Sequence, residues 1–256
     1  EVFAEVEAFV LGRAAAGRQR QLLATALAGL DKHAAGTEAL FFVDLPLLVH
    51  GAIRRDERPA IPLAVATTLL FLGADILDDL ADGDRPARWH GCSPAEINLA
   101  GATLLCALTP LAIGHLRAPA DRVLAMQATL ASGLLRMGAG QQSDLAGIGG
   151  GHVHPDEIEA AVAGKSGEEL AIFATLAAQL AGAPAGVVEH YAAMGRALGT
   201  GAQLASDCYE LFTDPASRDL AHGTPTLPTA LRLERLGGGE RAAFADLLNR
   251  ARAEKA

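Results

Sequence analysis

Aromatic residues make up only 4% of this 256-residue chain, although 50% of it is apolar. The apolar excess is alanine and leucine, the strongest helix formers, so a core must be built from them with few rings. Lysine is almost as scarce. Lys32, Lys165 and Lys255 are the whole set, and an interior lysine among so many arginines stands out. Cys92, Cys106 and Cys208 share no short spacing. That excludes a disulfide framework or a cysteine zinc site and fits a reducing compartment. A net charge of -9 leaves no basic surplus for a nucleic-acid partner. Strand-type alternation of β-branched residues persists nowhere.

What is present is nearly continuous helical periodicity punctuated by glycine and proline. It predicts helices over about 2–30, 36–52, 59–82, 94–116, 119–144, 155–181, 184–212, 225–236 and 239–254. Ser93-Pro94-Ala95-Glu96 has the form of a capping box with proline at the first helical position. Pro155 followed by Asp156 and Glu157 is a second start. Gly147–Gly151 reads as a flexible connection, and Gly164 or Gly167 as a break around Lys165. No linker or fixed-period repeat divides the chain. The expected fold is therefore all-α: a single-domain helical bundle over residues 1–256, with long helices around a central apolar cavity.

Two apolar stretches approach membrane-span length. Ala60–Ala74 is too short, and Ile97–Gly114 contains Asn98 and Pro110. Both read as buried helices. The N-terminal text EVFAEVEAFVLGR is acidic and amphipathic, unlike a signal peptide. The expectation is a soluble, cytoplasmic protein without a membrane span.

The run DILDDLADGD, Asp75 to Asp84, places five aspartates in ten residues directly after an apolar segment. Asp75, Asp78, Asp79 and Asp82 share one helical stripe. Like charges so stacked destabilise a helix by a few tenths of a kcal/mol per pair, and a hard divalent cation would offset that cost. Mg2+ prefers one or two carboxylates, waters and phosphate oxygens. A solvated acidic helix end is the plain alternative. A second acidic face follows in QLASDCYELFTD, where Gln203, Asp207, Glu210 and Asp214 are spaced i, i+4, i+7, i+11. No histidine stands at a di-metal spacing near either stripe, and oxygen ligands alone favour Mg2+ over iron or zinc. Such a cation cluster needs an anionic ligand, and diphosphate fits. Lys165 in GKSGEEL is a candidate donor to it, or a charge at a helix break. Arg54, Arg55 and Arg58 are further candidates, but the intervening Asp56 and Glu57 point to ordinary surface pairing.

These residues resemble a family. Asp78-Asp79-Leu80-Ala81-Asp82 is similar to the first aspartate-rich motif of trans-isoprenyl diphosphate synthases, the polyprenyl synthetase superfamily. GQQSDLAG (Gly140–Gly147) resembles their GQ…D segment, and Lys165-Ser166 their Lys-Thr motif. The stretch from Gln203 to Glu210 stands where they carry FQ-x-x-DD-x-x-D, and Ser217–Leu231 resembles the segment ending in GKxTLP. Order and spacing agree over about residues 40–232. Within the superfamily, DILDDLADGD, then Trp89, then EINLAGATLL look most like the bacterial isoprenyltransferases that modify a tryptophan of a competence pheromone.

The resemblance implies a helical bundle, usually a homodimer, that binds an allylic prenyl diphosphate through about three Mg2+ ions. It further implies loss of diphosphate and capture of the allylic cation by an acceptor. By the same likeness Asp78, Asp79, Asp82, Asp207 and Glu210 would hold metal. Asp78, Asp79 and Lys165 would carry catalysis, and Lys165, Gln141, Gln203 and Arg88 would contact substrate. Asp144 matches the GQ…D stretch but stays outside the metal set.

The departures bear on the acceptor. Chain-elongating members hold a homoallylic diphosphate with a basic GGKRxRP motif, and the nearest text here is GAIRRDERP. Their Arg-Arg after the first motif is reduced to Arg85 and Arg88, separated by Pro86 and Ala87. Thr224 replaces the lysine of GKxTLP, and Ser206 the first aspartate of the second motif. Ordinary chain elongation is thereby put in doubt; the expectation is prenyl transfer to an acceptor, one without a diphosphate included, with residual elongation left open. The alternative is a class I terpene cyclase. Ser206 and Glu210 resemble the Ser…Glu half of its second metal motif, with Ala202 where Asn or Asp is expected, and aromatic residues to steer a cation are few. A non-catalytic regulatory subunit is the third reading, against which the retained acids and Lys165 argue. Gly73 and Ala74 resemble positions that limit product length, and packing explains them equally well. His152 and His154 form a His-x-His without an evident third ligand.

Overall fold

The computed structural model describes residues 1–15, 17–31, 40–147, 154–213 and 217–253. Among them there is no strand. The helices are α1 Val2–Arg13, α2 Arg18–Leu27, α3 Phe41–Arg54, α4 Ile61–Ala81, α5 Pro94–Ala102, α6 Thr109–Gly114 and α7 Ala120–Gly147. They continue with α8 Pro155–Val162, α9 Glu168–Leu180, α10 Ala185–Thr213, α11 Arg218–His222, α12 Leu227–Arg235 and α13 Gly238–Ala253. Lys32, Ile148, Gly149, Gly150, Gly151, His152, Asp214 and Lys255 lie outside the described residues.

Four local features differ from the periodicity. The helix expected over 2–30 is two helices, because Ala14 is extended and Gly17 has φ 76°, a region that glycine enters without steric cost. The helix expected over 94–116 holds a π-helical turn, Thr103–Leu108, just before Pro110. Proline cannot donate to the preceding turn and its ring crowds that carbonyl; the widened turn accommodates it, and Thr109 Oγ1 donates to Leu104 O at 2.9 Å. Around Lys165 the helix widens instead of breaking, as a π turn over Ala163–Gly167. The short helix α11 was not expected. Ser217 caps it, and Gly223 ends it at φ 72°.

The fold comprises two compact units. The first is Glu1–Ala131 with Ile172–Ala192, and the second Ser132–Ala171 with Ala193–Ala256. In the first, α4 is the core element. Every residue from Leu63 to Leu70 is buried, so the helix carries apolar surface all round, as an enclosed helix must. α1, α3, α5 and α6 pack on it. Its hydroxyls are satisfied inside the core: Thr67 donates to Phe42 O at 2.6 Å and Thr68 to Ala64 O at 2.7 Å. Phe42 stacks on Phe71 at 4.2 Å between centroids. A Cβ on Gly73 would lie 2.9 Å from Leu105 N. Packing against the neighbouring helix therefore accounts for this glycine.

The stretches Arg58–Ala81 and Pro94–Gly114 are long and apolar enough to cross a membrane. The most apolar window of the first is 67% buried within the protein, as a core helix requires.

The second unit is held by close backbone crossings. A Cβ on Gly140 would fall 2.4 Å from Gly164 C, and one on Gly199 2.1 Å from Ser166 O. α7 and α10 thus both press backbone to backbone against the π turn that carries Lys165.

Candidate active site

In the first unit the acidic run forms the C-terminal end of α4. Asp75, Asp78 and Asp79 are half-buried on one stripe, while Asp82 is the exposed C-cap. The chain turns at Gly83 (φ 80°), and Asp84 N donates to Asp79 O at 2.8 Å. A 3-10 turn, Ala87–Trp89, follows, anchored by the buried Trp89. It brings Arg88 Nη2 to 3.6 Å from Asp79 Oδ2 and 3.9 Å from Asp75 Oδ2. The Arg88 side chain is 16% exposed, and its buried Nε and Nη2 lack hydrogen-bond partners. Two guanidinium donors are thus left at an acidic helix end.

Arg54, Arg55 and Arg58 stand at the other end of α4. Arg58 and Asp78 are about 20 residues apart, roughly 30 Å along a helix rising 1.5 Å per residue. All three are exposed, and Arg58 Nε pairs with Asp56 Oδ1 at 3.0 Å. They are surface groups, remote from the aspartates.

The second unit joins several predicted residues into one polar chain. Lys165 Nζ donates to Asp144 Oδ2 at 3.1 Å. The adjacent Ser166 donates to Gln203 Oε1 at 3.0 Å, and Gln203 Nε2 donates to Asp207 Oδ1 at 2.8 Å. Gln141 lies one residue beyond the Gly140–Gly164 crossing on α7 and is half-buried. Glu210 Oε1 accepts from Ser217 Oγ at 3.1 Å, Arg218 N at 2.6 Å and Asp219 N at 3.0 Å. One carboxylate oxygen therefore ties the start of α11 to α10. Ser206 is exposed.

Electrostatics single out an acid that the sequence pattern did not. Burial, with the fields of Glu210, Asp207 and Asp144, pushes Asp219 up to about 7. Burial also raises Asp207; the Gln203 hydrogen bond partly counters this, while Asp144 and Glu210 add to the rise. Four carboxylates at Asp144, Asp207, Glu210 and Asp219 feel one another, with Lys165 near Asp207 and Arg218 near Asp219 as local cations. Asp219 sits in the Ser217–Leu231 segment, but its burial depends on tertiary packing.

The donor sets suit Mg2+. They are oxygen-only, with mutual repulsion that a cation would relieve. Among the described residues no three acidic, histidine or cysteine side chains converge into a preformed cage. His154 caps α8, its Nδ1 accepting from Asp156 N at 3.2 Å, and its Nε2 lies 3.3 Å from Glu234 Oε1. Capping thus accounts for this histidine.

No curated protein matches the sequence. Solved structures do match the fold. Geranylgeranyl pyrophosphate synthetase from the archaeon Geoglobus acetivorans superposes with a TM-score of 0.79 at 22% identity, covering 98% of this chain and 83% of that one. The corresponding synthetase from Pyrococcus horikoshii gives 0.80 at 20% identity, over 99% and 83%. A polyprenyl synthetase from Streptomyces coelicolor gives 0.77 at 21%, over 99% and 86%. At these identities the likeness shows the isoprenoid synthase fold. The sequence itself matches the polyprenyl synthetase family over residues 43–256, so the chain belongs to that family of prenyltransferases.

Proposed function

We propose that this prenyltransferase ionises an allylic prenyl diphosphate in a Mg2+-dependent step and transfers the prenyl group to an acceptor that carries no diphosphate. By the family likeness, Asp78, Asp79, Asp82, Asp207 and Glu210 would hold the cations. Mg2+ would neutralise the diphosphate oxygens and make them a better leaving group. Lys165, released from Asp144, would donate to the diphosphate. Gln141 and Gln203 would orient it, with Ser166 steadying Gln203. Arg88 would hold Asp79 and offer its two buried donors to an anionic oxygen. Asp144 and Asp219 belong to the same charge cluster and would adjust how readily it accepts a cation.

In the reaction the allylic C–O bond breaks and its electron pair leaves with diphosphate. The acceptor supplies the pair for the new bond and then loses a proton. The observation that carries the acceptor reading is the remoteness of Arg54, Arg55 and Arg58 from Asp78, which argues against a second diphosphate held by them.

The test is incubation with Mg2+ and geranyl, farnesyl or geranylgeranyl diphosphate, with and without isopentenyl diphosphate. Diphosphate release only with an added nucleophilic acceptor, such as an indole-bearing peptide, is the expected result. Elongated diphosphates would return the chain to ordinary synthase chemistry. Cyclic hydrocarbons would make it a cyclase.

A further inference from the structure

Glu168 is the most enclosed carboxylate described, 3% exposed. It opens α9 one residue after the π turn that holds Lys165 and Ser166. Each of its oxygens is taken by an arginine from a different helix. Arg136 of α7 donates to Oε1 through Nε at 2.7 Å and also through Nη2. Arg196 of α10 donates to Oε2 through Nη2 at 2.6 Å. The two guanidiniums remain about half-exposed, at 55% and 43%.

A carboxylate removed from water is costly, and paired arginines offset the cost without making it a better core residue than an apolar one. What such a triad supplies is geometry: two forked donors fix one carboxylate from two directions. Its placement fits that role. Arg136 stands about two turns before Asp144, Arg196 about two turns before Gln203, and Glu168 three residues after Lys165. The triad ties together the three segments whose polar groups meet at Lys165 and Ser166. Gly167, the last residue of the π turn, leaves no slack, since a Cβ there would lie 2.6 Å from Thr200 Oγ1.

We infer that Glu168 is a positioning residue. With Arg136 and Arg196 it sets the π turn so that Lys165 faces Asp144 and Ser166 meets Gln203. The inference rests on the reading of Lys165 as the donor to diphosphate.

A double-mutant cycle tests it, using the full-length protein with Mg2+ and inorganic pyrophosphate in calorimetry. Lys165→Ala should weaken binding at least about tenfold, as loss of a charge-assisted hydrogen bond does, and Glu168→Gln about fivefold. The double variant should bind no more weakly than Lys165→Ala, although its thermal midpoint falls by the full Glu168→Gln amount. Hydrogen exchange at residues 163–167 should quicken in Glu168→Gln. Unchanged affinity in Glu168→Gln, or a fivefold loss persisting in the Lys165→Ala background, overturns the inference and leaves the role of Lys165 standing. Wild-type affinity in Lys165→Ala overturns that role and the inference with it. Should Glu168→Gln fail to fold, Arg196→Gln at its half-exposed position replaces it in the same cycle, judged by the same outcomes.

Discussion

Lys165 Nζ and Asp144 Oδ2 lie 3.1 Å apart, the two side chains 27% and 30% exposed. The lysine proposed to meet a diphosphate is thus already facing a carboxylate. A partly exposed pair of this kind is worth about 0.2–1 kcal/mol, little enough for an incoming diphosphate to displace. Asp144→Asn removes the competing charge. Its affinity for pyrophosphate without Mg2+ should rise by up to about fivefold, the equivalent of that pair energy. Calorimetry in a chelator-treated buffer measures it. A fall in Mg2+-free affinity would mean that Asp144 orients the lysine more than it neutralises it.

Asp219 makes stability depend on pH. Its folded value of about 7 lies above the ordinary 3.8. Between these values the unfolded chain releases the proton and the folded chain keeps it. Stability is therefore fully present below about pH 4 and is lost as pH rises to about 7. Asp207, also raised, adds in the same sense. Glu96, which Arg18 and Ser93 hold down to about 2, acts oppositely, and only below its ordinary 4.5. The thermal midpoint without Mg2+ should thus fall from pH 5 to pH 7.5, and Asp219→Asn should flatten the slope. Mg2+ with pyrophosphate should raise the midpoint more at pH 7.5 than at pH 5, because a cation competes with the proton.

Two glycine substitutions separate close packing from helix propensity. A Cβ on Gly199 would lie 2.1 Å from the Ser166 carbonyl oxygen, backbone that has little room to yield. Gly199→Ala should therefore destabilise by at least about 3 kcal/mol, at the upper end of overpacking effects. Gly12, within α1, has nothing within 4 Å. Gly12→Ala should be neutral or stabilising by up to about 1 kcal/mol. Urea unfolding of both variants gives the comparison.

What the sequence disclosed follows from how local each signal is. The Ser93 capping box forms as expected, with Ser93 N donating to Glu96 Oε2 at 2.8 Å, because its partners lie within one turn. The expected start at Pro155 holds for the same reason. At the π turn Ala163–Gly167 the sequence alone predicts a break, since glycine weakens a helix on average. Here Gly164 is needed where Gly140 crosses it, and residue type alone does not reveal a crossing. Asp219 went unnoticed because its character comes from burial beside Glu210 and Asp207, groups joined only by folding. The text GAIRRDERP resembles a basic motif by its letters alone. Counting helical rise along α4 from Arg58 separates it from Asp78.

That separation yields a paired prediction. Asp79 is half-buried at the end of α4 beside Arg88, so its loss should act on chemistry more than on the fold. Asp78→Ala and Asp79→Ala should each lower turnover of an allylic diphosphate about a hundredfold or more, as removing a group that stabilises developing charge does. Circular dichroism should remain helical, since α4 is held by its apolar middle, Leu63 to Leu70. The triple change Arg54→Ala, Arg55→Ala, Arg58→Ala removes three exposed cations before the far end of α4, Arg58 being roughly 30 Å from Asp78 by helical rise, beyond the Debye length of about 8 Å at physiological salt. It should leave turnover within about twofold of the wild type. Wild-type rates in both aspartate variants would remove the acidic end of α4 from the active site. A large loss in the arginine triple would put a substrate group at the opposite end of the helix, where a diphosphate acceptor would then have to bind.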